Sequence, residues 1–330
     1  MSAQATLAAP SNAAVAVGTP TLVRPSRFPA DKVFKGLTLI CAWLVLIMLA
    51  AIMVSLLVGS MPLWREEAVF FLTTDEWEIS NGKFGMLGPA AGTLITSAIA
   101  IILALPVSIG IAVFLTELAP MWLRRPLGTA IELLAAIPSI IYGMWGLFII
   151  APLFIRYVQP FLAATLGKIP GIGILFSGPS LGVGVFTAGI VLAIMIVPFI
   201  TSVLRDVFEI VPAMLKESAY GLGATTWEVV RHVVIPYTKI GMLGAVMLGL
   251  GRALGETMAV TFVIGNAHGL FTSLFSPGNS IASTLANEFN EAGSDLHRSA
   301  LLALALVLFL ITTVVLGVAK WLMNRTGAQS

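Results

Sequence analysis

An all-α integral membrane protein of six transmembrane helices is the fold class this sequence predicts, and three observations carry it. Hydrophobic residues make up 58% of the 330-residue chain and charged residues only 10%, against about 45–50% and about 25% in soluble domains. The mean hydropathy is +0.99. The apolar stretches are long and unbroken, as spanning helices require, whereas a membrane β-barrel shows alternating segments of about ten residues.

The elements follow in chain order. Residues 1–35 are rich in Ala, Pro, Ser and Thr and lead through Arg24, Arg27, Lys32 and Lys35 into the first apolar run, so they read as a disordered tail before a signal-anchor helix. Spans are expected at about 36–59, 92–116, 127–152, 181–204, 240–265 and 299–323. Pro106, Pro138 and Pro198 fall inside them, which membrane helices tolerate where neighbours shelter the freed backbone groups. Residues 60–91 form the first external loop, and 205–239 form the one long connection on the opposite side. The loop Asn266 to Arg298 contains a helix-like stretch, Ile281 to Glu291, that would meet a soluble binding protein or cap the pore.

Orientation follows from the positive-inside rule. Twelve Lys and Arg fall on the side of the termini, the 2–3 loop and the 205–239 connection; five fall on the other side, and Arg252 stands within a span. Both termini are therefore expected in the cytoplasm, with residues 60–91 in the periplasm. Cys41 is the one cysteine, which excludes an intrachain disulfide and a thiol redox pair. His232, His268 and His297 lie on separate loops without ligand spacing, so neither a metal nor another cofactor is expected. No catalytic constellation is present, and no feature points to nucleic acid. Trp64, Trp77, Trp122 and Trp321 are placed at membrane interfaces, beside the surrounding lipid.

Within the 205–239 connection, Glu217 to Gly221 has helix-forming character, Gly223 breaks it, and Thr226, Trp227 and Glu228 begin a second short helix that Pro236 ends. Such a knob suits docking of a soluble partner; an amphipathic linker at the membrane surface is the other reading. The spacing of Glu217, Ser218, Ala219, Gly223 and the Val233-Val234-Ile235-Pro236 run resembles the coupling loop of ABC-importer permeases, with Ser218, Val233 and Ile235 as mild exchanges. The resemblance implies that Glu217, Ser218, Ala219 and Gly223 seat in a groove of an ATP-hydrolysing subunit, with Pro236 setting the turn into the span. No G-x-x-x-x-G-K-[ST] phosphate loop occurs, so this chain is not expected to be an enzyme and ATP hydrolysis is assigned to a separate chain.

Arg252 and Glu256 interrupt the otherwise apolar segment Ile240 to Gly265. A continuous helix from Ile240 puts them about 18 and 24 Å along its axis, near the midplane of a core about 30 Å thick. Arg at that depth costs at least ~2.5–3.5 kcal/mol. Spacing i, i+4 would place both on one face for partial neutralisation, and Gly251, Gly255 and Ala259 would form a small-residue row for close packing. One reading is an ion pair that locks this helix to a neighbour. The other is an anion site, in which the guanidinium fork takes oxyanion oxygens and Glu256 accepts a bond from an anion that keeps a proton. Phosphate qualifies, since phosphate esters have a second pKa of about 6. Glu132, on the expected third span, is read as a carboxylate reaching water at the interface.

The stretches 132–148, 252–260 and 273–289 resemble the phosphate-specific ABC importer permeases of the PstC type, over most of residues 85–325. The resemblance implies a MetI-like permease core in helices 2–6, within a domain spanning 92–325, and a bacterial inner-membrane location. It implies a companion permease forming a heterodimer with this chain, two ATP-binding subunits, a periplasmic phosphate-binding protein and a translocation route through Arg252 and Glu256. Another oxyanion, phosphonate or molybdate, fits the same architecture. An ATP-independent anion channel or secondary carrier is the alternative of a different class.

Overall fold

The computed structural model describes residues 30–171 and 173–327. Residues 1–29 of the expected tail lie outside the described residues, and from Ala30 the chain is helical.

Among the described residues, six helices are long and apolar enough to cross a membrane. Helix α1 spans Ala30–Glu66, longer than expected at both ends, so the loop expected over 60–91 is helical as far as Glu66. A short helix α2 (Ala68–Thr73) and a two-stranded antiparallel hairpin follow, β1 (Trp77–Glu78) pairing Trp77 with Phe84 and Glu78 with Lys83 of β2 (Lys83–Phe84). The hairpin is a small departure from the all-helical expectation. Helix α3 (Leu87–Leu118) agrees with the second expected span.

The third expected span is corrected. Residues 127–152 are not one helix: α4 (Met121–Ala135) ends before Pro138, and the long helix is α5, Ser139–Lys168. The residue before a proline is pushed out of the helical region, so Pro138 separates two helices rather than kinking one. Glu132 thus sits on α4, where it accepts a 2.9 Å bond from Arg205 Nη2 of α6 (Val185–Glu209). Helix α7 (Ala213–Gly221) precedes α8, Thr226–Leu254. The fifth expected span, 240–265, is corrected with it: the helix begins fourteen residues earlier, stops at Leu254, and is followed by the short α9 (Met258–Thr261). Helices α10 (Ile281–Glu288) and α11 (Asp295–Gly327) complete the chain.

Pro62, Pro106 and Pro198 sit inside α-helical turns, whereas four other prolines follow a widened turn. Each of the four π-turns among the described residues, Phe114–Leu118, Gly146–Ile150, Phe154–Val158 and Val230–Val234, ends two residues before a proline: Pro120, Pro152, Pro160 and Pro236. A pyrrolidine ring has no N–H and collides with the carbonyl four residues back; the wider turn moves that carbonyl away. Pro236 therefore lies within α8 and does not end a helix as the sequence suggests.

Helix α6 is the centre of the main core, with Val185, Leu192, Ile196, Ile200, Leu204 and Phe208 fully buried or nearly so. Small residues let the neighbours approach: Cβ atoms at Gly189 and Gly249 would lie 2.7 Å from Ile99 and 2.6 Å from Ile200. Across the α3–α6 contact, Ser108 Oγ donates to the Val197 carbonyl at 3.2 Å. A second cluster gathers Leu63, Phe71, Trp77, Phe84, Ile281, Leu301 and Leu304. The start of α10 is seated on α3: Ile281 N–H donates to Thr93 Oγ1 at 2.9 Å, and a Cβ at Gly92 would collide with the Asn279 carbonyl oxygen.

Because the atom facing Gly92 is backbone, it cannot swing aside. Gly92→Ala is expected to destabilise the folded chain by about 1–3 kcal/mol, read as a lower thermal midpoint in detergent. Gly110→Ala, with nothing within 4 Å of the added carbon, serves as the control and leaves the midpoint within error of the parent.

Candidate functional site

Arg252 occupies the last turn of α8, and Glu256 lies beyond its end. Gly255 caps the helix, its N–H donating to the Gly251 carbonyl at 3.3 Å. The chain then turns, and Glu256 Oε1 accepts a 3.2 Å bond from Ala259 N–H at the start of α9. The expected i, i+4 pair on one helical face is therefore not formed. None of the ion pairs among the described residues includes Arg252 or Glu256. The small-residue row expected through Gly251, Gly255 and Ala259 breaks at the same point: Ala259 is in α9, packed against Gly143 of α5, while Gly251 faces Leu316 of α11.

The Arg252 guanidinium instead lies 5.2 Å from the Phe199 ring centroid on α6, a cation–π contact. Its Nε is buried without a hydrogen-bond partner in the described structure. The planar donor set of a guanidinium suits a tetrahedral oxyanion. Beside the break runs a groove of 380 Å³ whose lining includes Gly255, Thr257, Leu285, Phe289, Asn290 and Leu308.

The residues of the predicted docking loop form a knuckle. Glu217 and Ser218 are exposed on α7, Ser218 Oγ bonding back to the Met214 carbonyl at 2.7 Å. Ala219 packs partly against the main core. Gly223 turns the chain at φ +89° with open space around it, so glycine is needed for its backbone conformation rather than for close approach. Thr225 then starts α8 with a capping box: its side chain accepts from Glu228 N–H while the Glu228 carboxylate accepts from Thr225 N–H. Met214, Leu222 and Trp227 are 76%, 90% and 65% exposed around this turn.

One cluster escaped the sequence reading. Glu288 of α10 is buried; its Oε2 accepts from the Trp77 indole N–H at 2.8 Å and meets His297 Nε2 of α11 at 3.0 Å, and its Oε1 lies 3.5 Å from His268 Nε2. Trp77, expected at an interface, is instead buried here and stacks on His268. The histidines converge on a carboxylate from positions 29 apart, a distance at which no local motif signals contact. Among the described residues no group of three or more His, Cys, Asp or Glu side chains has metal-site geometry.

The family model described as "binding-protein-dependent transport system inner membrane component" matches residues 104–327. A phosphate transport system permease protein PstC of Haemophilus influenzae is 59% identical over 89% of this chain and 93% of its own length. Its counterpart in Pasteurella multocida is 61% identical over 89% of this chain and 92% of that one. The PstC of Mesorhizobium japonicum is 55% identical over 91% and 92%. Among solved structures, a chain of a bacterial alginate ABC transporter superposes with a TM-score of 0.60, covering 90% of this chain and 96% of that chain at 16% identity, a likeness of fold alone.

The Glu288 cluster yields a direct test of this geometry. Glu288→Leu strips the acceptor from a buried indole N–H and a buried histidine, and an unmet buried polar group costs about 1–3 kcal/mol. The thermal midpoint should fall accordingly, while Glu291→Leu, on an exposed side chain, leaves it unchanged.

Proposed function

The chain belongs to the binding-protein-dependent transport system inner membrane component family, in its PstC branch, and from that premise we propose that it is one of two membrane subunits of an ATP-driven importer of inorganic phosphate. The observation that carries the substrate assignment is the Arg252 guanidinium, held on an aromatic face with no carboxylate paired to it. Phosphate oxygens would take the free donors of Arg252. Glu256, with Oε1 engaged by the Ala259 N–H, would offer its other oxygen to a proton still carried by the anion. The relatives named above as phosphate permeases support the same substrate over phosphonate or molybdate.

The knuckle supports the energy source. Its exposed Met214, Leu222 and Trp227 would seat in one of two ATP-binding subunits, a companion permease would complete the path, and a periplasmic binding protein would deliver phosphate. Both termini and the knuckle would then face the cytoplasm, as the excess of Arg and Lys on that side favours. Helix α8 is continuous for 29 residues from the knuckle to Leu254, a rod of about 42 Å at 1.5 Å per residue. Closing of the ATPase pair would displace the knuckle, and α8 would carry the displacement to Arg252. The cavity would open outward to receive phosphate and return inward after hydrolysis.

Reconstituted with its partner chains in liposomes, the parent is expected to accumulate phosphate only when ATP is supplied; accumulation by this chain alone, without ATP, contradicts the proposal. Arg252→Gln should lower uptake by about 10- to 100-fold, the loss expected for a charge-assisted bond to an anion, while the ATP-binding subunits still co-purify. Loss of co-purification in that variant would make Arg252 a structural lock instead. Gly223→Val, forced to hold a left-handed backbone at a cost of about 1–3 kcal/mol, has the opposite profile: the ATP-binding subunits are lost on purification and the chain remains in the membrane.

A further inference from the structure

Lys216 precedes the exposed Glu217 on α7, yet it points the other way. Its Nζ meets Glu117 Oε1 at 2.6 Å, and the Glu117 side chain is only 5% exposed. Glu117 lies in the π-turn Phe114–Leu118 that closes α3, with Leu115 and Thr116 buried beside it. Ninety-nine residues separate the two partners. Among the described residues this is the one side-chain hydrogen bond that α7 makes to another element, since Ser218 bonds within its own turn.

The placement has a mechanical consequence. Helix α7 is tethered by chain at both ends, to α6 through Ile210–Pro212 and to α8 through the turn at Gly223. Two tethers define an axis about which a nine-residue helix can roll. The apolar contact of Ala219 with the core resists this weakly and without direction. An ion pair is directional, and removing Lys216 leaves the buried Glu117 carboxylate unpaired. The contact also selects its target: α3 packs along α6 and against α8, so a force applied to α7 reaches α3 through Lys216 as well as α8 through the chain.

The geometry points to Lys216 and Glu117 as positioning residues for energy coupling: the pair fixes α7 to the end of α3, so that α3 and α8 move together when the knuckle is displaced. This rests on the importer reading, in which α7 is the seat of an ATP-binding subunit. Neither residue touches substrate.

The test uses the assembled importer in liposomes, with ATP hydrolysis, its stimulation by the phosphate-loaded binding protein, and radiolabelled phosphate uptake measured on each sample. Lys216→Met and Glu117→Gln are expected to keep the ATP-binding subunits and to hydrolyse ATP, with phosphate taken up per ATP falling about tenfold, within the range of ordinary coupling energies. Lys216→Arg, and the reversal Glu117→Lys with Lys216→Glu, should recover the ratio of the parent. Neutralised variants with an unchanged ratio would overturn the proposal, as would a reversed pair that is as uncoupled as the single changes or that fails to assemble. Should the single variants not assemble, the reversed pair decides alone. A parent that couples hydrolysis to its binding protein yet accumulates no phosphate would sink the phosphate reading instead, and stimulation of hydrolysis would still read the pair.

Discussion

A peptide group in hydrocarbon has no water to bond with, and this constraint organises the rest of the molecule. Every interruption of a helix must be satisfied by the protein itself. Where Pro152, Pro160 and Pro236 enter long helices, a π-turn precedes each and the helix passes on. Where α8 stops, side chains and loops supply what the helix no longer does. Glu256 accepts the Ala259 N–H, Asn266 Nδ2 donates to the Thr261 carbonyl at 3.0 Å, and Gly278 N–H donates to the Ile264 carbonyl at 3.0 Å. Glu256 is therefore committed to the backbone of the break, and Arg252 is left without a carboxylate. The same constraint that forbids loose ends at the break separates the two charges.

Legibility in the sequence followed the reach of each signal. The second, fourth and sixth spans were readable because a long apolar run with charged ends is a local property of composition. The third and fifth were misplaced by the same method. Hydropathy registers that Ala135 to Phe148 is apolar, but not that Pro138 divides it, and it treats Gly255 as neutral although the helix ends there. The start of α8 was read at Thr226, beside its Thr225 cap; its length was not, since Pro236 reads as a stop unless a π-turn is foreseen. At the site, Arg252 and Glu256 stood out as charges in an apolar segment, whereas their lack of pairing depends on the turn between them. Glu288, His268 and His297 carry no local signature at all, because tertiary packing alone brings them together.

The continuity of α8 joins features that the sequence presents as separate. Its first turn is fixed by Thr225 and Glu228 beside the knuckle, and its last turn carries Arg252. A helix of this length transmits displacement because its side chains are locked into the core at Val229, Val234, Ala245 and Ala253, all buried. Close-packed interiors transmit strain, so in the proposed cycle a displacement at one end would be carried along the rod. Helix α6 supplies the frame against which that shift is measured, being the most enclosed of the six.

In the proposed cycle that frame would also give Arg252 an environment that depends on state. A site can be coupled to a conformational change only if its ligand interacts differently with the two states. Arg252 rides on α8, while the aromatic face it contacts, Phe199, belongs to α6. Were α8 to slide against α6, the cation–π distance and the solvation of the guanidinium would change together, without any bond to a carboxylate that would have to break first. A guanidinium permanently paired with Glu256 would present little net charge to an anion in either state. One held by an aromatic face is stabilised by a modest amount, about 0.5–2 kcal/mol, small enough for an oxyanion to compete with it and to leave again. The break after Leu254 thus separates Arg252 from Glu256, and in the proposed cycle it would also place the remaining cation at the moving end of the rod.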